Sequence, residues 1–521
     1  MDRIKRSFHM SAKTILGLAI CPLLIFGCKL KQVEKQSELA NRVNILFLMA
    51  DQHRADFLGA NGNEWVVTPN LDQLASEGVN FLNAYSSTPS CTPARTAIFT
   101  GLSPWNHGML GYMGEASQSY DCEMPSLFTL NGYTTHAVGK NHFGHSNKHG
   151  YQTVELEESW YSTLEGGYKC DYQLWFEKAV PGYDLNTTGL GYTDHRGGIP
   201  FPFADSLHAT VWTADRAIKF LERQKKEDGP WFLKVSFQRP HPPFDPPERW
   251  MKYYENTNIP LPKVGEWAVE KYKDKTGSLY TNPDAYCGIF PNDEIIESLI
   301  AYAGGLSFVD EQIGRVIETL KKTGEFENTL ILYTSDHGDM MGDHHLWRKT
   351  RPYEASTNIP MIIRWPESLN VKSKRGQSVA ELVEMRDIFP TFAHAAGIKI
   401  PVKIDGENML EILNPENQWR KIIDLEHSRA YENENAWVAL TDGRYKYIYF
   451  TFTGEEQLFD LREDPYELTD LAKDSTVHRL RNEWYGKMVE HLRIRGPEWV
   501  KEDQLQIQKE SKKTGPNFPG A

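Results

Sequence analysis

Val43-Asn44-Ile45-Leu46-Phe47-Leu48-Met49-Ala50, cut off at once by Asp51-Gln52-His53, is the stretch on which the reading of the fold turns. An uncharged, almost wholly apolar run without polar alternation describes a strand buried on both faces, as in a parallel sheet covered by helices. Polar residues at the end of such a strand sit where α/β sheets bind ligands. Working outward, further strand-like runs occur at 135–139, 231–237, 329–334 and 361–364. They alternate with helical patterns, including 207–223 and 294–322. This alternation predicts an α/β fold with a large, mostly parallel (mixed) sheet sandwiched by helices. After about residue 400 the pattern changes to short strands at 437–440, 445–450 and 457–461, set apart by Gly443 and Gly454, with a closing helix at 478–492. These predict a smaller α+β C-terminal domain with an antiparallel sheet and a loosely ordered tail from about Gln504.

The chain of 521 residues is 40% hydrophobic and 12% aromatic, enough for more than one core, and no internal run is long and apolar enough to span a membrane. The N-terminus differs. Arg3, Lys5, Arg6 and Lys13 precede an apolar run at 15–26 that reads as an export signal. Ile25-Phe26-Gly27-Cys28 resembles a bacterial lipobox, with ordinary cleavage and an uncleaved anchor as the other readings. The expected organisation is therefore a signal peptide over 1–27, a polar tether over 28–41, a catalytic domain over 42–400 and a C-terminal subdomain over 401–521. The expected location is the periplasm, or a bacterial membrane reached only through a lipid anchor. Loss of 1–27 takes the formal charge from -13 to -16. So acidic a protein does not suit nucleic acid, and a polyanionic substrate must meet a local positive pocket. Beyond Cys21 and Cys28 only Cys91, Cys122, Cys170 and Cys287 remain, too few for a disulfide framework.

Five separated stretches carry chemistry. Asp51-Gln52 and Asp336-His337 each end a hydrophobic strand pattern, so distant segments can bring oxygen and nitrogen ligands to one sheet edge. That suits a hard divalent ion, although either aspartate alone suits a turn. In Val138-Gly139-Lys140-Asn141-His142-Phe143-Gly144, Lys140 and His142 share a side if the chain stays extended. In Gln238-Arg239-Pro240-His241-Pro242-Pro243-Phe244, prolines flank His241 and exclude helix. In Ser90-Cys91-Thr92-Pro93-Ala94-Arg95-Thr96-Ala97-Ile98-Phe99-Thr100-Gly101, Arg95 lies at (i, i+4) from Cys91 and can share its face. By itself this last stretch can also be read as a buried thiol before a Pro-started helix.

The C-x-P-x-R order followed by Thr-Gly, the G-K-x-H at 139–142, the segment 335–354 with Lys349, and the later Gly443-Arg444-Tyr445-Lys446-Tyr447 and Leu458-Phe459-Asp460-Leu461 resemble type I sulfatases over roughly residues 43–475. The resemblance implies the alkaline phosphatase superfamily fold and oxidation of Cys91 to Cα-formylglycine by a formylglycine-generating enzyme. One hydroxyl of its gem-diol would attack sulfur, and the other would later expel sulfate. It implies Ca²⁺, with Mg²⁺ or Mn²⁺ open, held by Asp51, Gln52, residue 91, Asp336 and His337. Gln52 and His337 depart from the usual Asp-Asp and Asp-Asn pairs and lower the anionic charge on the metal. Lys140 would contact formylglycine and sulfate, and His142 would take a proton during sulfate release. His241 and Lys349 would bind sulfate, one of them assisting the leaving oxygen. Arg95 would stabilise the aldehyde or its hydrate.

The segments 49–56 and 103–112, with Asp336-His337, look like bacterial glycosaminoglycan enzymes that remove 2-O-sulfate from an unsaturated uronic acid at a chain end. The expected partner is then a sulfated oligosaccharide, heparin-like or chondroitin-like. Candidate cations for the uronate carboxylate are His145, Lys148, His195, Arg196 and Arg239. Competing readings are a sulfatase for another sugar sulfate such as 6-O-sulfo-N-acetylhexosamine, a phosphonate monoester or phosphodiester hydrolase on the same fold, and a non-catalytic glycan-binding lipoprotein.

Overall fold

The run at 43–50 becomes the centre of an eight-stranded sheet in a computed structural model that describes residues 42–144, 147–158, 168–183, 185, 198–225, 228–414 and 417–520. The signal, tether and lipidation expectations, and the candidate cations His145, His195 and Arg196, lie outside the described residues. In chain order the strands are β1 (Asn44–Asp51), β2 (Val79–Phe81), β3 (Thr134–Gly139), β4 (Thr153–Leu156), β5 (Trp231–Pro240), β6 (Thr329–Ser335), β7 (Met361–Arg364) and β8 (Gln377–Val379). They lie side by side as β4-β3-β5-β1-β6-β7-β2-β8. The first five pair in parallel, and β7 runs antiparallel to both its neighbours.

Every residue of β1 is buried, and the two-residue side-chain period sends alternate residues to opposite faces. Ile45, Phe47 and Met49 join a core with the helices α2 (Cys91–Thr100) and α5 (Ile388–Ala395), which follow α1 (Pro69–Ser76). Leu46, Leu48 and Ala50 pack on the other side with α3 (Ala209–Arg223) and α4 (Asn292–Lys322). The sheet is thus sandwiched by helices. Its parallel strands all end at one edge, where Asp51, Lys140, His241 and Asp336 leave β1, β3, β5 and β6.

The C-terminal part holds a four-stranded antiparallel sheet of β9 (Ile423–His427), β10 (Trp437–Thr441), β11 (Tyr445–Phe450) and β12 (Glu456–Asp460). One face packs Leu425, Trp437, Ala439 and Ile448 against Tyr85, Met340, Leu346 and Tyr353 of the main body. The other packs Val438, Leu440 and Tyr447 against α6 (His478–Arg493). The Trp437 indole donates to the Thr350 carbonyl at 2.9 Å, so this sheet props the loop that carries Lys349.

The tail departs from expectation. Instead of lying loose, Met109 pairs with Thr514, Leu110 N–H donates to Lys513 O at 2.8 Å, and Gly515 N–H donates to Gly108 O at 2.7 Å. A largely polar segment is held through backbone pairing and through the scattered apolar contacts of Leu505 and Phe518, which leave no periodic sign in the sequence. Among the described residues, no helix is long and apolar enough to cross a membrane, and Cys91, Cys122, Cys170 and Cys287 are all free thiols.

Trp437→Ala is expected to cost about 3–5 kcal/mol in urea unfolding, because it opens a cavity and leaves the Thr350 carbonyl only the longer bond from Asn435 Nδ2 at 3.4 Å. It should also lower turnover, although Trp437 lies outside the cavity that Lys349 borders. An unchanged unfolding midpoint would contradict this buttressing role.

Candidate active site

Cys91 is the first residue of α2, with extended Ser90 as its N-cap, and all ten residues of the helix are buried. Helix N-terminal backbone amides and dipole favour negative charge there. The thiol lies at the floor of a cavity of about 550 Å³ that Lys140, His142, His241 and Lys349 also line. Thus the four strand-end segments singled out in sequence converge on residue 91.

Arg95 reaches the cluster from one turn further along the helix. Its Nε donates to Asp336 Oδ2 at 2.9 Å and its Nη2 to Asp51 Oδ2 at 3.1 Å. Nη1 donates to the Lys140 carbonyl at 2.6 Å and to Ser236 Oγ at 3.1 Å. These bonds orient Asp51, Asp336, Ser236 and the Lys140 backbone around residue 91, and the guanidinium and Cys91 also act on each other through charge. The helix spacing did bring it to the site, but the rigid fork of a guanidinium finds its best match in paired carboxylates.

Lys140 Nζ sits 2.7 Å from Asp51 Oδ2 and 3.9 Å from Cys91 Sγ. Burial alone would raise the Asp51 carboxyl, but Lys140, His241, Arg95 and His337 outweigh it and hold the group well below the ordinary carboxylate range. At Cys91, burial and Asp51 push the thiol up, while Lys140, Lys349 and His337 bring it down to a net lowered value. The site thus favours an anionic or oxygen-rich group at position 91.

Lys349 is the best connected of the cations at this point. Its ammonium lies 3.3 Å from Cys91 Sγ, 3.3 Å from Gln52 Oε1 and 2.9 Å from His241 Nε2. His241 Nδ1 lies 2.8 Å from the Pro242 carbonyl, which accepts only, so the proton belongs on Nδ1 and Nε2 accepts from Lys349. Burial, Lys140 and Lys349 drive the His241 imidazole well below its ordinary range, so it is neutral near pH 7.

The 139–142 segment does not stay extended as expected. Gly139 and His142 take positive φ values of 88° and 63°. A Cβ on Gly139 would fall 2.1 Å from Ser236 O, so only glycine fits where the chain turns out of the sheet. Asn141 and His142 N–H both donate to the Glu158 carboxylate, and this anchor returns Lys140 and His142 to the same cavity. Burial, then Lys140 and Arg95, push the His142 imidazole well down, leaving it neutral and able to accept a proton.

The chemistry of the donor set fits a divalent cation. Asp51, Cys91, Asp336 and His337 are all buried, and each offers one ligand atom within 4.8 Å of the others, with the Cys91 sulfur standing where an oxygen of a modified side chain would lie. His337 Nδ1 is 2.9 Å from the Gly338 carbonyl, which turns the Nε2 lone pair towards Cys91 Sγ at 3.2 Å. Burial works against protonation of His337, but Asp336 and Cys91 raise its proton affinity, and the same negative surroundings favour a cation. Gln52 adds a carboxamide oxygen, its Nε2 donating to Asp339 Oδ2. The cluster thus brings together two carboxylates, one imidazole and residue 91, with the Gln52 carboxamide oxygen 3.3 Å from Lys349 Nζ and Asp339, missed in sequence, behind it.

Other neighbours had no signal in sequence. Ser90 Oγ meets His427 Nε2 at 2.8 Å, and Tyr112 stands edge-on to His142 at 5.9 Å. Two candidates for a carboxylate site do not reach the cavity. Arg239 is buried and spends Nε and Nη2 on Asp245 at 2.5 and 2.8 Å, and Lys148 is an exposed residue away from the lining. Arg239 is turned from the cavity by its pairing with Asp245, and Lys148 sits in the connection between β3 and β4, outside any strand.

Residues 43–398 match the sulfatase family, and residues 342–493 match the C-terminal region of N-sulphoglucosamine sulphohydrolase. An arylsulfatase of Clostridium perfringens is 37% identical over 464 residues, covering 86% of this chain and 92% of that protein. An ulvan-active sulfatase of Formosa agariphila is 29% identical over 515 residues, covering 96% and 91%. Among solved structures, a phosphonate monoester hydrolase of Agrobacterium radiobacter superposes with a TM-score of 0.70 at 25% identity, covering 87% of this chain and 96% of that one.

Replacing Arg95 by alanine leaves Asp51 and Asp336 buried without their shared cation. The expected cost is about 3–5 kcal/mol by denaturant unfolding. A loss below about 1 kcal/mol would show that the pairing does not hold the site together.

Proposed function

This chain belongs to the sulfatase family and is a sulfuric ester hydrolase, and on that footing we propose that it removes sulfate from sulfated sugars, using a formylglycine made from Cys91 and a divalent metal. The observation that carries this reading is the meeting of Cys91 Sγ with Lys349 Nζ at 3.3 Å and His337 Nε2 at 3.2 Å on the floor of an open cavity. A buried structural thiol has no need of two cationic or metal-ligating partners and a route to solvent.

Formylglycine supplies, when formed, a hydrated aldehyde with one hydroxyl to attack and one to lose its proton. A divalent ion held by Asp51, Gln52, residue 91, Asp336 and His337 supplies positive charge against the sulfate oxygens; Ca²⁺ is the proposed ion. Lys140 and Lys349 then orient the sulfate from opposite partners, one anchored on Asp51 and the other on Gln52 and His241. Charge gathers on the leaving oxygen as the ester bond breaks, so fixed cations contribute more than a strong nucleophile. Of His241 and Lys349, the pairing favours Lys349 as the group that donates there, because His241 Nε2 accepts from it. His142, neutral and buried, is suited to take a proton at its imidazole during release.

Sugar sulfates are favoured by the N-sulphoglucosamine sulphohydrolase match at the C-terminal part and by the ulvan-active relative. Within that class, the proposed preference is for 2-O-sulfate on a terminal uronic acid. The phosphonate monoester hydrolase neighbour favours a second reading, phosphonate or phosphodiester hydrolysis in the same site.

Cys91→Ala is expected to lower sulfate release at least about 1,000-fold while sulfated-sugar binding stays measurable by calorimetry. Unimpaired turnover would sink the mechanism. Chelation should abolish release and lower the melting temperature, with Ca²⁺ restoring both; turnover that survives exhaustive chelation would exclude the metal's role.

A further inference from the structure

The cavity above residue 91 is lined by more cations than one sulfate requires. Besides Lys140 and Lys349, Arg348, Arg429 and Lys513 face it, against Asp284 as the one acid in the lining. This excess stands out in a chain of formal charge -13, where chance would line a cleft with acids. Lys140 and Lys349 are engaged with Asp51, Gln52, His241 and residue 91. Arg348 lies 3.4 Å from Asp284 and over the Tyr431 ring at 5.3 Å, which fixes it at the rim. Arg429 and Lys513 are exposed, and among the described residues neither side chain has an acidic partner within ion-pair distance.

Both are nevertheless mounted on fixed backbone. Leu110 N–H donates to Lys513 O at 2.8 Å, Ser428 N–H donates to Leu110 O at 2.6 Å, and Arg429 N–H donates to Ser511 Oγ at 2.7 Å. One strip of chain at 108–111 therefore ties residue 429 to residue 513. Lys513 also acts electrostatically on His427, whose Nε2 meets Ser90 next to residue 91. A docked C-terminal tail thus delivers a cation to the mouth of the reaction cavity.

Resting on the sulfatase reading, we propose that Arg348, Arg429 and Lys513 form a second anion subsite that selects sugar sulfates bearing another negative group, a carboxylate or a second sulfate, beside the scissile ester. Guanidinium forks match either planar carboxylate or sulfate oxygens, and a lysine adds a point charge. The tail is then part of the active site.

The test uses the full chain carrying Cys91→Ala, so that ligands persist, and measures binding calorimetrically to two matched pairs. One pair is an unsaturated 2-O-sulfated uronyl disaccharide and its carboxyl-reduced counterpart; the other is glucosamine 2-N,6-O-disulfate and glucosamine 6-O-sulfate. The parent protein should prefer the more anionic member of at least one pair by 10-fold or more, and the pair that shows it identifies the group read. Adding Arg429→Ala and Lys513→Ala together should reduce that preference to less than 3-fold, with Lys513→Arg retaining it. Lys512→Ala, an exposed neighbour on the same tail, should leave it intact. A parent protein without preference in either pair, or a preference that the double substitution leaves unchanged, overturns the proposal. Sulfate release by the protein with Cys91 intact is assayed in parallel on all four sugars. Its absence would count against the sulfatase reading alone, because the binding comparison does not depend on turnover.

Discussion

One buried guanidinium holds two strands to one purpose. Arg95 lies between Asp51 at the end of β1 and Asp336 just past the end of β6, and all three are essentially without solvent contact. Two carboxylates this close would repel each other and lose hydration; the fork between them supplies both opposite charge and directed hydrogen bonds. Because the helix that carries Arg95 begins at Cys91, the same contact fixes residue 91 against the carboxylates. Lys140 completes the arrangement twice over, through its ammonium on Asp51 and its carbonyl under Arg95. The positions of residue 91, the candidate metal ligands and Lys140 are therefore not independent.

The C-terminal part contributes by support and by access. Its sheet packs against the loop around residues 346–353 and takes the Thr350 carbonyl through Trp437, beside Lys349. Lys446 reinforces this from a wholly buried position, bonded to Glu354 and Glu467 at 2.6 and 2.9 Å. Beyond α6 the chain returns along residues 108–110 and brings Lys513 to the cavity. The cavity at the sheet edge is thereby given its outer wall by segments remote in sequence.

The central strands were legible because full burial favours apolar runs, near-continuous in β1 and β6 and broken in β5 only by Lys234 and Ser236 before its polar end. Short strands at or next to the sheet edges, β2, β4 and β8, have only three or four residues and no such pattern, so they escaped notice. Asp51, Lys140, His241, Asp336 and Lys349 could be found because each follows a recognisable strand end or motif. Arg95 was found for its position, while its pairing with Asp51 and Asp336 was not, since helix spacing says which face a residue occupies and not which acid it meets. Glu158, Asp339, His427 and Lys513 depend on tertiary return of the chain and have no local signature.

The central claim is that residue 91 is a matured aldehyde at the focus of this charge network. Mass spectrometry of the proteolytic peptide spanning residue 91, from protein that releases sulfate, tests it most directly. The account predicts the loss of mass that accompanies conversion of the cysteine thiol to an aldehyde, together with trapping of that peptide by a hydrazine reagent. A homogeneous, unmodified thiol at residue 91 in fully active protein would contradict it.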